Sequence, residues 1–183
     1  MKKNKYSFLA FICVFIFTLS FFSVYTMAEE EKVIYITFDD GPGGKVTTEV
    51  LDILKREEVP ATFFLIGDQI KGQEKLIKRT FGCNNNSYHL KKTLVDSLHE
   101  NNLKIYDWNV DSTDGANHNA SPSTYIKHAK SDKNNIILLM HCGYMNKNSA
   151  KALPEVIKYY KDKGYTFKAI SSDTDEMFHF MKH

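Results

Sequence analysis

Two adjacent carboxylates follow an apolar, β-branched run near the start of the chain. The run Val33-Ile34-Tyr35-Ile36 leads into Thr37-Phe38-Asp39-Asp40-Gly41-Pro42. Carboxylates at the end of a buried strand are costly to desolvate, so they indicate a task or a partner. Neighbouring side chains of a strand point to opposite faces, but the chain turns where a strand ends, and both carboxylates can then border one pocket. Such a pair suits a division of labour in which one carboxylate holds a metal ion and the other accepts a proton.

Further ionisable side chains follow two other predicted strands. Asp111 and Asp114 come after the predicted strand Lys104–Val110, and His141 comes directly after the strongly apolar run Ile136–Met140. Because chemistry in parallel α/β folds collects at the carboxyl ends of strands, three such ends together indicate a site more strongly than any one of them. Two alternatives stay open, since His141 could be a satisfied core histidine and Asp111 could simply cap a turn.

The elements that must position these groups alternate between strand and helix. The predicted strands are Val33–Phe38, Ala61–Leu65, Lys104–Val110, Ile136–Met140 and Tyr165–Ile170. The predicted helices are Thr47–Glu57 with Thr47 or Thr48 as its N-cap, Ile70–Arg79, Leu90–Glu100, a helix opened by Ser121-Pro122, Ala150–Lys163, and a short terminal helix over Asp173–Phe180. This alternation predicts an α/β fold built on a parallel sheet or barrel.

Length and composition predict one domain with a sizeable core. The chain has 183 residues, a net charge of +2 and 43% hydrophobic residues. The charge is balanced and the basic residues form no cluster beyond the first few positions, which excludes nucleic acid as the expected partner. We expect the folded domain to span residues 32–183.

The first 28 residues are typical of a secretory signal. Lys2, Lys3 and Lys5 precede an apolar run over residues 8–24, and Thr26-Met27-Ala28 resembles a small-residue cleavage site. The alternative is an uncleaved membrane anchor, because the run is close to spanning length. Either way the domain is expected outside the cytoplasm, secreted or anchored on the outer face of the cell membrane or cell wall.

Two cysteines of the expected domain, Cys83 and Cys142, have two alternative states. An exported pair could form a disulfide. The alternative is two partly buried free thiols, because spacing in the sequence does not show that their Cα atoms approach.

Four segments together resemble one known family. They are Thr37-Phe38-Asp39-Asp40-Gly41-Pro42, Phe63-Phe64-Leu65-Ile66-Gly67, Asp107-Trp108-Asn109-Val110-Asp111-Ser112-Thr113-Asp114 and Leu139-Met140-His141. In this order they resemble motifs of the polysaccharide deacetylases, also called NodB-homology domains or family 4 carbohydrate esterases. The resemblance covers nearly all of the chain from about Lys32 onward. It implies a distorted (β/α) barrel with an open side.

The resemblance also implies a reaction, hydrolysis of N-acetyl groups on an amino-sugar polysaccharide such as peptidoglycan or a chitin-like polymer. A divalent metal, usually zinc, polarises the amide carbonyl and activates water in such enzymes. By the resemblance Asp39 is the general base, Asp40 is a metal ligand, and His141 is the acid that protonates the departing amine.

Four more residues receive supporting roles in this comparison. Asp114 is expected to orient an arginine that pairs with the base, and Asp111 lies in the same motif as active-site support. Trp108 and Pro42 are candidate substrate-groove residues, with a core position as the favoured alternative for Trp108.

The chain departs from the family pattern between the second and fourth motifs. A His-Ser/Thr-x-x-His motif completes the metal site in the family, yet no histidine lies between Asp40 and His89 here. Of the third motif only Phe81-Gly82 remains, which predicts that one strand–helix block is missing and the barrel incomplete. His179 and His183 have the spacing of a ligand pair but lie at a terminus, where a solvated tail is the simpler interpretation.

These departures keep a second function open. A catalytic zinc site needs about three protein ligands with an open position, and Asp40 alone does not supply them. The alternative to a metal-dependent deacetylase is therefore an inactive glycan-binding module or a decayed remnant of the family. Gly115 also stands where a tryptophan often follows the last aspartate of the fourth motif, which removes part of an apolar wall.

Overall fold

The computed structural model describes residues 30–73, residue 99 and residues 104–177. The strands are β1 (Val33–Gly41), β2 (Thr62–Leu65), β3 (Val110–Asp111), β4 (Asn135–His141) and β5 (Thr166–Phe167). The helices are α1 (Lys45–Glu57), α2 (Pro122–Ala129) and α3 (Lys147–Asp162), and Gly67–Gln69 forms a 3-10 turn. All strands of this sheet pair in parallel, which confirms the predicted α/β fold.

β1 lies at the centre of the sheet and positions the two carboxylates. The strand order is β2-β1-β4-β3, and β5 pairs with the first residues of β1. In the register of β1 with β4, Phe38 lies opposite Met140 and Asp39 lies opposite His141. The carboxyl ends of the two strands therefore bring a carboxylate and an imidazole side by side, as expected from the parallel sheet.

The two faces of β1 have different neighbours. Ile34, Ile36 and Phe38 are fully buried and belong to the main core, which also contains the apolar faces of α1 and α3. Because side chains alternate along a strand, Tyr35, Thr37 and Asp39 point to the opposite face. On that face Tyr35 packs against a small cluster of Tyr106, Ile137 and Ile170, so the first half of β1 has apolar neighbours on both sides.

The helices begin where local chemistry allows, with one difference from expectation. Ser121 caps α2 by accepting a hydrogen bond from the Thr124 amide, and Pro122 takes the first helical position, as predicted. α1 begins earlier than expected, after Gly44, so the predicted N-cap at Thr47 or Thr48 is wrong. Thr47 lies inside the helix, and its hydroxyl bonds to the loops instead.

The strand predicted over Lys104–Val110 is largely wrong. Only Val110–Asp111 pairs with β4. The preceding residues pair with the C-terminal segment instead, since the Asp107 amide donates to the Met177 carbonyl (2.5 Å) and the Met177 amide donates to the Ile105 carbonyl (3.3 Å). The short terminal helix is wrong for its described part, because residues 173–177 form turns and a bridge.

Other predictions are shortened or fall outside the described residues. The predicted strand Tyr165–Ile170 is reduced to β5, and residues 70–72 form a turn after the 3-10 segment. The rest of the predicted helices over 70–79 and 90–100 lies almost entirely outside the described residues. The missing strand–helix block, the incomplete barrel and the division into 1–28 and 32–183 stay predictions. No helix within residues 30–73 and 104–177 has the length and apolar character needed to span a bilayer.

Candidate active site

The site begins at the turn that ends β1. Asp40 adopts a left-handed backbone (φ 61°), a conformation that costs a non-glycine residue of the order of 1–3 kcal/mol. The loop after β4 packs directly against this turn, because a Cβ added to Gly143 would lie 3.1 Å from the Asp40 carbonyl oxygen. Thr113, in the loop after β3, is similarly left-handed (φ 66°). Such strained residues concentrate at functional sites, and here Asp40 lies at the end of β1 while Thr113 lies in the loop after β3.

Asp114 and His141 form a buried pair between the loop after β3 and the end of β4. The His141 Nδ1 lies 2.8 Å from Asp114 Oδ1, and the His141 backbone amide donates to Oδ2 (2.9 Å). The Ser112 hydroxyl also donates to Oδ1 (2.8 Å). Asp114 has no exposed side-chain surface, so these donors replace the water it has lost.

The protonation of this pair follows from its contacts. Burial alone would raise the pKa of Asp114, but the hydrogen bonds and charge of His141 outweigh burial and lower it. For His141 burial alone would lower the pKa, yet Asp114 raises it above its usual value, with help from the charges of Asp39 and Asp40. Asp114 therefore stays ionised and fixes the Nδ1 proton, which leaves Nε2 as the nitrogen able to exchange a proton.

Asp39 has a contrasting environment. It borders a cavity of about 450 Å³ together with Thr37, Tyr106 and Trp108. Its Oδ1 is buried and has no hydrogen-bond partner among the described residues. Burial raises the pKa of Asp39 to about 6, although the charge of His141 opposes the shift. A carboxylate with a pKa in this range can both accept and release a proton near neutral pH.

Two side chains fasten the loops around these groups. The Thr47 hydroxyl accepts from the Gly43 amide (2.7 Å) and donates to the Cys142 carbonyl (2.8 Å), joining the loops after β1 and β4. The Gln73 amide nitrogen donates to the Pro42 carbonyl (3.0 Å) and the Tyr144 hydroxyl (2.8 Å). Gln73 and Tyr144 are not among the predicted site residues, because no motif or periodicity in the sequence signals them.

Cys142 is a free, buried thiol. Burial raises its pKa to about 12, so the thiolate is not populated near neutral pH and the residue is an inert part of the core. Its prospective disulfide partner, Cys83, lies outside the described residues.

The described residues do not by themselves fit a divalent metal. Within them no group of three histidine, cysteine, aspartate or glutamate side chains could hold an ion. Asp40 is exposed, and it is the one residue that the resemblance assigns as a metal ligand. The pair His179 and His183 lies outside the described residues. We therefore assign no step of a reaction to a metal.

The structure adds contacts for Asp114, Pro42 and Asp111. Asp114 contacts His141 and Ser112, so it holds the histidine, and its expected role of orienting an arginine stays a prediction. Pro42 is buried and does not line the cavity that contains Asp39, and its groove role stays a prediction. Asp111 is exposed and accepts from the Thr113 amide (2.6 Å), which is the turn-capping alternative.

Trp108 combines both of its predicted places. It packs against the small cluster around Tyr106, Ile137 and Ile170, and it also lines the cavity that contains Asp39. Trp108 therefore contributes both to this small apolar cluster and to the wall of the cavity.

Comparisons with known proteins find the same family from the sequence and from the fold. Residues 26–86 match the sequence model of the family described as "Polysaccharide deacetylase". The chain also superimposes on the crystal structure of the polysaccharide deacetylase Bc1974 from Bacillus cereus with a TM-score of 0.71, at 25% identity, over 82% of this chain and 97% of that one. The chain belongs to the polysaccharide deacetylase family.

Two relatives from this family are similar over most of the chain. The peptidoglycan-N-acetylglucosamine deacetylase of Bacillus cereus is 27% identical over 80% of this chain and 72% of its own length. The peptidoglycan-N-acetylmuramic acid deacetylase PdaA of Bacillus subtilis is 28% identical over 77% of this chain and 71% of its own length. Polysaccharide deacetylases hydrolyse a carbon–nitrogen bond of N-acetylated polysaccharides and generally depend on a metal.

Proposed function

We propose that this chain is an exported hydrolase that removes N-acetyl groups from an amino-sugar polysaccharide, with peptidoglycan first and chitin-like polymers second among the substrates. The observation that carries the proposal is the position of Asp39 opposite His141 at adjacent strand ends, with His141 held by Asp114. The peptidoglycan deacetylases among the relatives and the similarity of short segments to chitooligosaccharide deacetylases support the substrate class.

The two groups divide the proton transfers between them. Asp39 takes a proton from the water whose oxygen forms a bond to the acetyl carbon. The carbon–nitrogen bond then breaks, and His141 gives the proton on Nε2 to the departing nitrogen, so the products are acetate and the free amine. General acid–base catalysis of this kind contributes typically about 10²–10⁴ in rate for each group.

Acetate release tests the proposal directly. The chain from Glu29 to His183 is incubated with acetylated chito-oligomers and with peptidoglycan, each with and without added zinc or cobalt. We expect acetate from one of these polymers, and we expect Asp39→Asn to lower its release at least about a hundredfold. Release that is unchanged in Asp39→Asn would contradict the assigned base.

The second candidate function is glycan binding without turnover. It is favoured by the sequence, in which no histidine lies between Asp40 and His89. The match to the Bacillus cereus relative also runs over 199 residues while this chain has 183, so some matched residues of the relative have no counterpart here. Glycan binding that needs no metal, with no acetate released under any of the conditions, would establish this candidate.

We also propose a location outside the cytoplasm, on the strength of the N-terminal segment alone. Sequencing the N-terminus of the native protein separates the two forms of this proposal. A new N-terminus after Ala28 indicates secretion, and an intact N-terminus in the membrane fraction indicates an anchor over residues 8–24. An intact N-terminus in the soluble cytoplasmic fraction would contradict both.

A further inference from the structure

Ser112 places a buried hydroxyl against the carboxylate that holds the histidine. The residue is fully buried, and its Oγ lies 2.8 Å from Asp114 Oδ1. Its backbone amide donates to the Leu139 carbonyl (3.2 Å), which ties Ser112 to β4. Thr113, between the two residues, has a left-handed backbone (φ 66°). The chain therefore turns sharply after Ser112, and the turn brings the hydroxyl and the carboxylate together.

Two donors share one oxygen of Asp114. The Ser112 hydroxyl and His141 Nδ1 each lie 2.8 Å from Oδ1. The hydroxyl must donate here, because an ionised carboxylate has no hydrogen to give. A hydrogen bond to the ionised form of Asp114 stabilises that form and makes it a weaker base. A weaker base at Oδ1 holds the Nδ1 proton of His141 less strongly.

Asp114 does not depend on Ser112 for its position. Its other oxygen, Oδ2, accepts from the His141 backbone amide (2.9 Å). Its own carbonyl accepts from Asn146 Nδ2 (3.3 Å), and Asn146 is buried. Without the hydroxyl the carboxylate would still be held at Oδ2 and would still face His141 Nδ1. The hydroxyl therefore governs the strength of the contact between Asp114 and His141 and not its existence.

The charges that face His141 would be unchanged by loss of this hydroxyl. Burial lowers the pKa of His141, and its hydrogen bond with Asp114 and the charges of Asp114, Asp39 and Asp40 raise it. Asp39 and Asp40 lie at the end of β1, and Asp114 lies in the loop after β3. Ser112 is uncharged, so its removal leaves all three carboxylates in place. A change in the titration of His141 would then report the hydrogen bond from Ser112.

We propose that Ser112 is a positioning residue that acts through Asp114, because by sharing Oδ1 it limits how strongly the carboxylate holds the Nδ1 proton of His141. This inference deepens the proposed function and rests on it for its catalytic meaning. In that function His141 gives the proton on Nε2 to the departing nitrogen. An imidazolium ion held too strongly by its carboxylate is a weaker acid, so Ser112 keeps His141 able to release this proton near neutral pH.

Titration of the His141 ring tests the inference without requiring turnover. The full chain carries 15N-labelled histidine, and NMR follows the ring in the unmutated chain and in each variant. We expect the pKa of His141 to rise in Ser112→Ala, which is opposite to the fall expected when Asp114 itself is removed. Ser112→Thr keeps the hydroxyl and restores the unmutated value. Ser112→Cys, with a weaker donor, gives a smaller rise and serves in place of Ser112→Ala if that variant does not fold.

Thr62→Val is the matched control for loss of a buried hydroxyl. Thr62 lies on β2, and its Oγ1 accepts from the Ile170 amide (2.9 Å). We expect this variant to leave the titration of His141 unchanged. An equal rise in Thr62→Val would show that the shift comes from general loosening of the fold, and it would overturn the inference.

The pH profile of acetate release gives a second measurement. We expect the limb that belongs to His141 to move to higher pH in Ser112→Ala. At pH 7 the rate falls by less than about tenfold, since the acid stays in place and only its strength changes. A rise in the pKa of His141 in Ser112→Ala, with no acetate released by the unmutated chain, would keep the inference about the pair and overturn the proposed catalysis.

Two further outcomes would overturn the inference. A pKa of His141 that is unchanged in Ser112→Ala would show that the shared oxygen has no effect on the histidine. A pKa that falls would show that the hydroxyl only keeps Asp114 in place.

Discussion

Asp114 and Asp39 are carboxylates on opposite sides of the end of β4, and the protein treats them in opposite ways. Asp114 is fully buried and accepts hydrogen bonds from His141 at both oxygens and from Ser112 at one. Asp39 is largely buried as well, but its Oδ1 has no partner among the described residues. The same physical cost, loss of water around a charge, is compensated at the first residue and left uncompensated at the second.

The difference separates a supporting residue from a reacting one. The pKa of Asp114 is lowered because the donors of His141 outweigh burial, whereas burial dominates at Asp39 and raises its pKa to about 6. Neighbouring carboxylates whose environments push their pKa values apart are the usual mark of an acid–base site. Asp114 keeps a constant charge that positions His141, and Asp39 can change its charge near neutral pH.

The largest effect is expected from Asp114→Ala. Removing this carboxylate leaves the buried donors of His141 and Ser112 without their partner, and we expect a loss of about 3–5 kcal/mol in the free energy of unfolding. The pKa of His141 falls at the same time, because its main source of stabilising charge is gone. Urea unfolding and an NMR titration of the His141 ring measure the two effects.

The pH dependence of this loss has a definite sign. The pKa of Asp114 is lowered by folding, so Asp114 stabilises the fold at pH values above its unfolded pKa of 3.8. The pKa of His141 is raised by folding, so His141 stabilises the fold fully at pH values below its unfolded pKa of 6.5. This stabilisation is lost as the pH rises through the folded pKa of His141. The loss in Asp114→Ala is therefore largest between about pH 4 and 6.5. Asp132→Ala is the control, because Asp132 pairs with Lys163 in solvent and such exposed pairs contribute little to stability. Equal losses in the two variants would remove the distinction made for Asp114.

The second effect, at Asp39→Asn, has the opposite direction. The pKa of Asp39 is about 6 in the folded state and 3.8 in the unfolded state. The carboxyl group therefore destabilises the fold progressively as the pH rises from 3.8 to about 6. A neutral amide removes that penalty, so we expect the variant to be more stable at pH 8 by up to about 3 kcal/mol. The gain should vanish below about pH 4, where both side chains are neutral. Thermal unfolding at the two pH values measures it, and a variant destabilised at pH 8 would show that Asp39 is compensated after all.

Gly115→Ala tests whether the pair depends on the absence of a side chain. A Cβ at position 115 would lie 2.4 Å from the Cε1 atom of His141, so the ring has to move. We expect a loss of about 1–3 kcal/mol from overpacking, together with a lower pKa of His141 as its contact with Asp114 lengthens. Gly67→Ala is the matched control, since nothing lies within 4 Å of a Cβ at that position. An unchanged His141 titration in Gly115→Ala would show that the ring is held independently of this glycine.

Much of this site could be predicted because its residues lie at strand ends. The apolar run ending in Asp39 and the run ending in His141 both appear in the sequence as buried strands, and parallel pairing places their ends together. Short-range patterns also sufficed for Ser121 and Pro122 at the start of α2. These features depend on local sequence and on one general rule of parallel sheets.

The features that could not be predicted depend on contacts between distant segments. The C-terminal segment pairs with residues 105–107 in place of the predicted strand, a pairing of two segments far apart in the chain. Thr47 has the residue type and position of a helix cap in the sequence, yet its hydroxyl donates a hydrogen bond to the Cys142 carbonyl. The contrast between Asp39 and Asp114 also depends on distant segments. The residues next to each carboxylate in the sequence do not show which of the two accepts hydrogen bonds in the fold.

The smallest effect is expected at Asp111, which separates turn geometry from the chemistry of the site. Its carboxylate accepts from the Thr113 amide in an exposed turn, and Thr113 has the left-handed backbone that this contact supports. We expect Asp111→Ala to cost about 1 kcal/mol and Asp111→Asn, which keeps an acceptor oxygen, to cost less. Neither substitution should shift the titration of His141, because Asp111 does not contact the pair. If Asp111→Ala lowered the pKa of His141 as much as Asp114→Ala does, the loop after β3 would act as one unit, and the contrast between Asp114 and Asp39 would belong to the loop and not to the individual carboxylate.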